Sequence, residues 1–182
     1  TAHRNDDGGR GLHFLLTGVV YYRKRMNSRF EFLQIEPTTR CNFTCGFCCG
    51  RHMDQADMPF EKYEALLRLF PGVRHIELQG EGEPMLHPQF FEMIALAREK
   101  GIKVSFITNG SLLSPANAAK ILSLGVSTIL VSMESADAEQ FRAIRGGSLP
   151  KVVSGIERLM LARAAQGLSQ PAVGVSVTVL RG

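Results

Sequence analysis

The sequence predicts an α/β fold: a parallel sheet with helices outside it, curved into a partial (βα)6-type TIM barrel that stops after its fifth strand. Three observations carry this. Apolar runs of strand length recur five times, and a helix-patterned segment separates each from the next. The runs are near-continuously apolar, as parallel strands buried on both faces are. The chain has 182 residues, whereas a closed eight-stranded barrel needs about 250. An open, doubly wound sheet is the other arrangement that this pattern fits.

The elements follow in order. Residues 1–10 are polar and Gly-containing, and 11–27 read as a short amphipathic helix with a basic end. Phe32, Leu33 and Ile35 mark the first strand, which ends near Glu36-Pro37. The helix over 60–70 places Tyr63, Leu66, Leu67 and Phe70 on one face, and Pro71-Gly72 stops it. Strand two is Val73–Leu78, leading into Gly80-Glu81-Gly82-Glu83-Pro84. Helix two covers 88–100, with Gly101 past its end. Strand three, Lys103–Thr108, closes on Asn109-Gly110, and helix three opens with Ser114 as N-cap and Pro115 as first residue. Strand four is Thr128–Met133, closed by Glu134-Ser135. Helices over 137–144 and 149–166 precede strand five, Ala172–Leu180. Residues 1–29 are expected as an N-terminal extension and helix. Residues 30–182 are expected as one core unit, incomplete at its C-terminal end.

Composition narrows the function. Hydrophobic residues make up 45% and charged residues 21%, the balance of an ordinary soluble domain. The net charge is +4 and no run of like charge dominates, so nucleic acid is not an expected partner. The apolar stretch Leu12 to Tyr22 is shorter than the roughly 20 residues that span a bilayer, so no membrane association is expected. All four cysteines lie between Cys41 and Cys49. So dense a cluster makes a poor disulfide framework and points to metal binding in a reducing, cytoplasmic setting.

In parallel α/β folds the working loops follow the C-terminal ends of the strands. Here the cysteines follow strand one, Gly80–Pro84 strand two, Thr108-Asn109-Gly110 strand three, and Ser132, Glu134 and Ser135 strand four. They should converge at one mouth. Cys41, Cys45 and Cys48 can wrap one compact inorganic object. A four-iron cluster usually takes four thiolates, so three leave one iron open. A structural zinc site and inert core thiols are the alternatives, although zinc normally takes further ligands and no distant cysteine exists. Cys49 is expected to point away from Cys48 and has no assigned task.

Cys41-x3-Cys45-x2-Cys48, with Phe47 before the last cysteine, resembles the signature of the radical S-adenosylmethionine (radical SAM) enzymes. Glu36-Pro37-Thr38-Thr39-Arg40-Cys41-Asn42 resembles the lead-in of the branch that often carries a C-terminal SPASM domain, and of its molybdenum-cofactor-synthesis relatives. The later motifs fall in the family's order. Gly82-Glu83-Pro84 resembles its Gly-Gly-Glu-type turn, with Glu81 in place of the first glycine of the commonest form. Ser132-Met133-Glu134-Ser135 and Ile144-Arg145-Gly146-Gly147 resemble the strand-four and following segments.

The resemblance implies roles. Cys41, Cys45 and Cys48 hold a [4Fe–4S] cluster, and S-adenosylmethionine chelates the open iron. Gly82, Glu83 and Pro84 meet its amino group, largely through backbone carbonyls. Ser132 and Glu134 reach the ribose hydroxyls, Arg145 pairs with the carboxylate, and the Val173–Val179 strand flanks the adenine. The reaction implied is reductive cleavage to methionine and a 5′-deoxyadenosyl radical, which takes hydrogen from a substrate. A flavodoxin or ferredoxin is the expected reductant, and a peptide or protein is among the expected substrates. No residue is assigned to substrate activation.

Plainer readings stand beside these. Glu83 fits a cap for helix two, Arg145 a surface arginine before a flexible Gly-Gly, and Thr108-Asn109-Gly110 a simple turn. His87 fits a helix start, His75 has no role, and Phe90-Phe91 belongs to the core. Two other functional classes also fit the cysteines: an iron–sulfur electron-transfer protein and a zinc-binding module.

Overall fold

A computed structural model describes residues 30–179. Its five strands are β1 (Phe32–Ile35), β2 (His75–Leu78), β3 (Lys103–Thr108), β4 (Thr128–Ser132) and β5 (Ala172–Ser176). They form one sheet in sequence order, and every neighbouring pair is parallel. A doubly wound sheet reverses its strand order part-way. This sheet winds one way only, as a barrel wall does, and is a partial barrel. The helix expected over 11–27 lies outside the described residues.

Five helices supply the crossovers: α1 (Phe60–Leu69), α2 (Phe90–Glu99), α3 (Pro115–Ser123), α4 (Ala138–Arg145) and α5 (Leu149–Ala165). Each presents an apolar face to the sheet. Tyr63 and Leu67 of α1, Phe90, Met93 and Ile94 of α2, Ile121 of α3, Phe141 of α4 and Val152 and Leu159 of α5 are buried. They pack with Ile76, Leu78, Val104, Phe106, Ile129 and Val131 in one core. Phe90 meets Phe106 edge-on at 5.2 Å, while Phe91 is half-buried beneath Lys120. Ser114 caps α3 by accepting from the Asn117 N–H at 3.2 Å.

Three strands are shorter than expected, β4 by one residue and β2 and β5 by more. Val73 and Arg74 precede β2: the Val73 N–H bonds back to Phe70, and the Arg74 N–H reaches Glu31. In β5 the ladder ends at Ser176, and Val177 to Val179 are exposed beyond it. β propensity makes an apolar segment eligible for a strand, but a paired neighbour makes it one. Among the described residues, no helix is long and apolar enough to cross a membrane.

Candidate functional site

The parallel register brings the C-terminal ends of the strands level. Ile35 lies beside Leu78, Leu78 beside Phe106, Thr108 beside Val131, and Ser132 beside Ser176. The loops leaving these ends enclose a cavity of about 560 Å³, walled by Cys41, Cys45, Cys48, Gly82, Glu134 and Arg145 among others. Ser132, Glu83 and Asn109 also line it, and Thr178 does so from beyond β5. Pro84 and Ser135 do not. Pro84 is buried at the start of a 3-10 turn, Pro84–Leu86. Ser135 donates to Gln140 at 2.6 Å and accepts from the Asp137 N–H, so it shapes the entry to α4.

The cysteine loop is held by the C-terminal end of α4 and the Gly-Gly pair that follows it. The Thr44 and Gly46 N–H groups donate to the carbonyls of Arg145 and Ile144, both at 3.0 Å. Gly146 adopts a φ of 71°, and a Cβ there would strike the Thr44 hydroxyl. A Cβ on Gly147 would strike the Phe43 ring. The Gly-Gly pair is therefore not a flexible spacer. It is the surface on which the loop rests, and close backbone approach is its requirement.

Arg145 is not a surface residue either. It is buried and ion-paired to Glu134 at 2.5 Å, with both side chains under a tenth exposed. Its Nε–H is buried without a hydrogen-bond partner. The two residues assigned by resemblance to ribose and carboxylate are thus bonded first to each other. Glu134 follows β4 and Arg145 is the last residue of α4, so the length of a helix lies between them in sequence and hid the pairing.

The cysteines are thiols, with no disulfide among them. The Phe43 N–H and the Asn109 Nδ2 both donate to the Cys41 sulfur, at 3.5 and 3.8 Å. Cys45 lies 3.8 Å from the Arg145 carbonyl, and Cys48 lies 3.1 Å from Glu81 Oε2. Burial raises the Cys45 thiol, and burial followed by the Glu81 hydrogen bond pushes Cys48 up to about 11. Metal binding must displace these protons. Cys48 and Cys49 both line the cavity. Cys48 is extended and a 3-10 turn over Cys49–His52 follows it directly, so the extended stretch in which neighbouring side chains alternate ends at Cys48.

Several residues to which the sequence reading gave no individual role hold these loops together. Glu36 Oε1 accepts from the Glu81 N–H at 2.6 Å. Arg40 bonds Asp57 at 3.0 Å and the Leu86 carbonyl at 2.7 Å. Asn109 Nδ2 donates to Asn42 Oδ1 at 2.9 Å, and Asn42 Nδ2 donates to Ser111 Oγ at 2.8 Å. An uncommon density of polar residues at strand ends is the signal that could have marked them. His87 behaves as a helix-start residue, accepting from the Gln89 N–H at 3.0 Å. His75 bonds Ser105 at 2.7 Å within the sheet.

Glu83 caps the Pro84–Leu86 turn through Met85, not α2. It also accepts from Thr108 Oγ1 at 2.8 Å and from the Asn109 N–H at 2.7 Å. It therefore ties the β2 loop to the β3 loop, and Thr108-Asn109-Gly110 is more than a turn. Burial pushes Glu83 up to about 7, against the hydrogen bonds that pull it down. A carboxyl with a folded pKa above its unfolded value binds more protons folded than unfolded between the two. Its stabilising contribution is full below about 4.5 and is lost as pH rises through about 7. Glu83→Gln should remove that decline, leaving a flatter thermal-stability profile than wild type across this window.

Comparisons with known proteins place the chain among relatives of one family. The family model described as the Radical SAM superfamily matches residues 35–163. A Pyrococcus furiosus protein named as a tungsten-containing aldehyde ferredoxin oxidoreductase cofactor-modifying protein is 30% identical over 157 residues, covering 83% of this chain and 44% of its own. A GTP 3′,8-cyclase of Stenotrophomonas maltophilia is 35% identical over 162 residues, covering 84% of this chain and 47% of its own. The chain thus spans under half the length of these curated relatives. Among solved structures, Streptococcus suis SuiB bound to its precursor peptide SuiA matches with a TM-score of 0.70 at 18% identity, over 100% of this chain and 42% of that one. SuiB bound to S-adenosylmethionine matches with a TM-score of 0.60. At this identity the likeness is one of fold.

Proposed function

The chain belongs to the Radical SAM superfamily, and on that premise we propose that it binds a [4Fe–4S] cluster through Cys41, Cys45 and Cys48 and uses it to cleave S-adenosylmethionine. The observation that carries this is the meeting of the three thiols and the β2, β3 and β4 loops around one cavity. A cluster held by these thiols would supply the single electron for reductive cleavage of S-adenosylmethionine, chemistry that yields a radical able to take hydrogen from a substrate.

The chain's own residues bind and orient. Gly82 lets the β2 turn press against the Thr38 and Arg40 carbonyls, holding the Gly82-Glu83-Pro84 backbone where its carbonyls can accept from an ammonium group. Pro84 fixes that turn from behind. Arg145, held by Glu134, has the unpartnered Nε–H noted above, a donor suited to a carboxylate. Ser132 and Thr178 offer hydroxyls at the β4–β5 end of the cavity, suited to the nucleoside. Residues 30–182 form the catalytic unit in this reading, with 1–29 as an extension, in a cytoplasmic setting that keeps the thiols reduced. A flavodoxin or ferredoxin supplies the electron.

For the substrate the reading is a peptide or protein side chain. Phe47 and Met53, 40% and 44% exposed, line the cavity as an apolar lip, a surface suited to a peptide. The GTP 3′,8-cyclase relatives make a purine nucleotide the competing class. The test is anaerobic reconstitution, then reduction with S-adenosylmethionine present. 5′-Deoxyadenosine should form. Zinc without iron or sulfide would sink the reading. Faster formation with GTP than with peptides would overturn the substrate class alone.

A further inference from the structure

The position at which the β2 turn departs from the commonest family form places a carboxylate against a cluster ligand. Glu81 lines the cavity with the cysteines. Its Oε2 accepts from the Gly50 N–H at 3.2 Å and lies 3.1 Å from the Cys48 sulfur. Its own N–H is fixed by Glu36 at 2.6 Å. The fit is built from both sides: a Cβ on Gly50 would collide with the Glu81 Cβ, so a glycine at 50 makes the room that the carboxylate occupies. On the far side of the loop, the Asn109 amide donates to the Cys41 sulfur at 3.8 Å. Asn109 is held by the Glu83 carboxylate at its N–H and by Ser111 at its Oδ1.

Two opposed electrostatic influences therefore flank the three thiols. Reduction adds negative charge to a cluster. A carboxylate beside a ligand sulfur opposes that charge, and a hydrogen-bond donor to a ligand sulfur favours it. We propose that Glu81 and Asn109 are opposed positioning residues of the cluster, Glu81 lowering and Asn109 raising its reduction potential. This rests on the cluster reading above. The plainer account is that Glu81 only latches the Cys49–His52 turn to the β2 loop through Gly50.

Glu81→Gln separates the two, since its amide oxygen can still accept from Gly50 while the charge is gone. Wild type, E81Q and N109A are reconstituted anaerobically, assayed for iron and sulfide, and titrated against reductant with mediators under EPR. E81Q should shift the midpoint to a more positive potential and N109A to a more negative one. The expected size is about tenfold in the oxidised-to-reduced ratio at fixed potential, or ~59 mV for one electron. An E81Q midpoint equal to wild type, with full iron content, reduces Glu81 to a latch and overturns the inference. Shifts of the same sign in both variants indicate loosening of the loop and overturn it too. If E81Q does not retain iron, Glu81→Asp and Glu81→Asn share a shorter reach and differ in charge. Equal midpoints in that pair overturn the inference as well. A wild-type protein that holds no iron–sulfur cluster overturns the underlying reading, whereas a wild-type cluster with an unmoved E81Q midpoint overturns this one alone.

Discussion

Replacing Cys41, Cys45 or Cys48 by alanine is expected to abolish cluster iron and 5′-deoxyadenosine formation together, to background. The size of the effect follows from coordination. Each thiolate is one of three holding a four-iron object, and the described residues offer no fourth thiol on the Cys41 or Cys45 side of the cavity. Cys48 is the instructive case, because Cys49 follows it directly and lines the same cavity. Cys49 nevertheless begins the 3-10 turn and is exposed, while Cys48 is half-buried on extended backbone. Cys49→Ala should therefore retain iron and product. If Cys49→Ala loses the cluster and Cys48→Ala keeps it, the third ligand is Cys49. Iron and sulfide assays with product chromatography on the four variants decide this. The cost in fold stability should be small for the exposed Cys41 and larger for the buried Cys45, so unfolding curves accompany the assays.

Strand and helix placement was legible because periodicity reports burial, and a parallel α/β fold buries its strands on both faces. Lys103–Thr108 and the Ser114-Pro115 helix start follow from that and from capping chemistry alone. The convergence of the loops was legible for a topological reason, since every crossover in a parallel sheet returns the chain to the same end. What could not be read were contacts between loops distant in sequence. The Glu134–Arg145 pair spans the length of α4, and the Asn109 bond to Cys41 and the carboxylate of Glu36 on the β2 loop each span several elements. Nothing in local composition distinguishes a buried arginine from an exposed one. Gly146-Gly147 looked like slack for the same reason: the Phe43 ring and Thr44 hydroxyl that fill the space beside it arrive from about 100 residues earlier.

Gly82→Ala is expected to have the largest effect of any single methyl group added to the site. A Cβ at this position would strike the Thr38 carbonyl oxygen and stand 2.7 Å from the Arg40 carbonyl oxygen. Both obstacles are backbone, so neither can rotate aside. The Arg40 carbonyl is also the acceptor for the Glu83 N–H at 2.8 Å, and Arg40 itself is braced by Asp57 and Leu86. Relief therefore requires the β2 turn to separate from the lead-in to Cys41. Overpacking of this kind costs about 1–3 kcal/mol where side chains can adjust, and the cost should reach or exceed the top of that range here. Function should suffer beyond stability, because the same turn carries Glu81 against Cys48 and Glu83 against Asn109. Moving it displaces both sides of the cavity at once. The expected result is a fall in melting temperature together with loss of product even at temperatures where the variant remains folded. Gly101→Ala is the control: its φ is 74° and nothing lies within 4 Å of an added Cβ. It should lose a little stability through backbone strain and keep cluster and product. If Gly82→Ala binds iron and forms product like wild type, the close join between the two loops is not what organises the site.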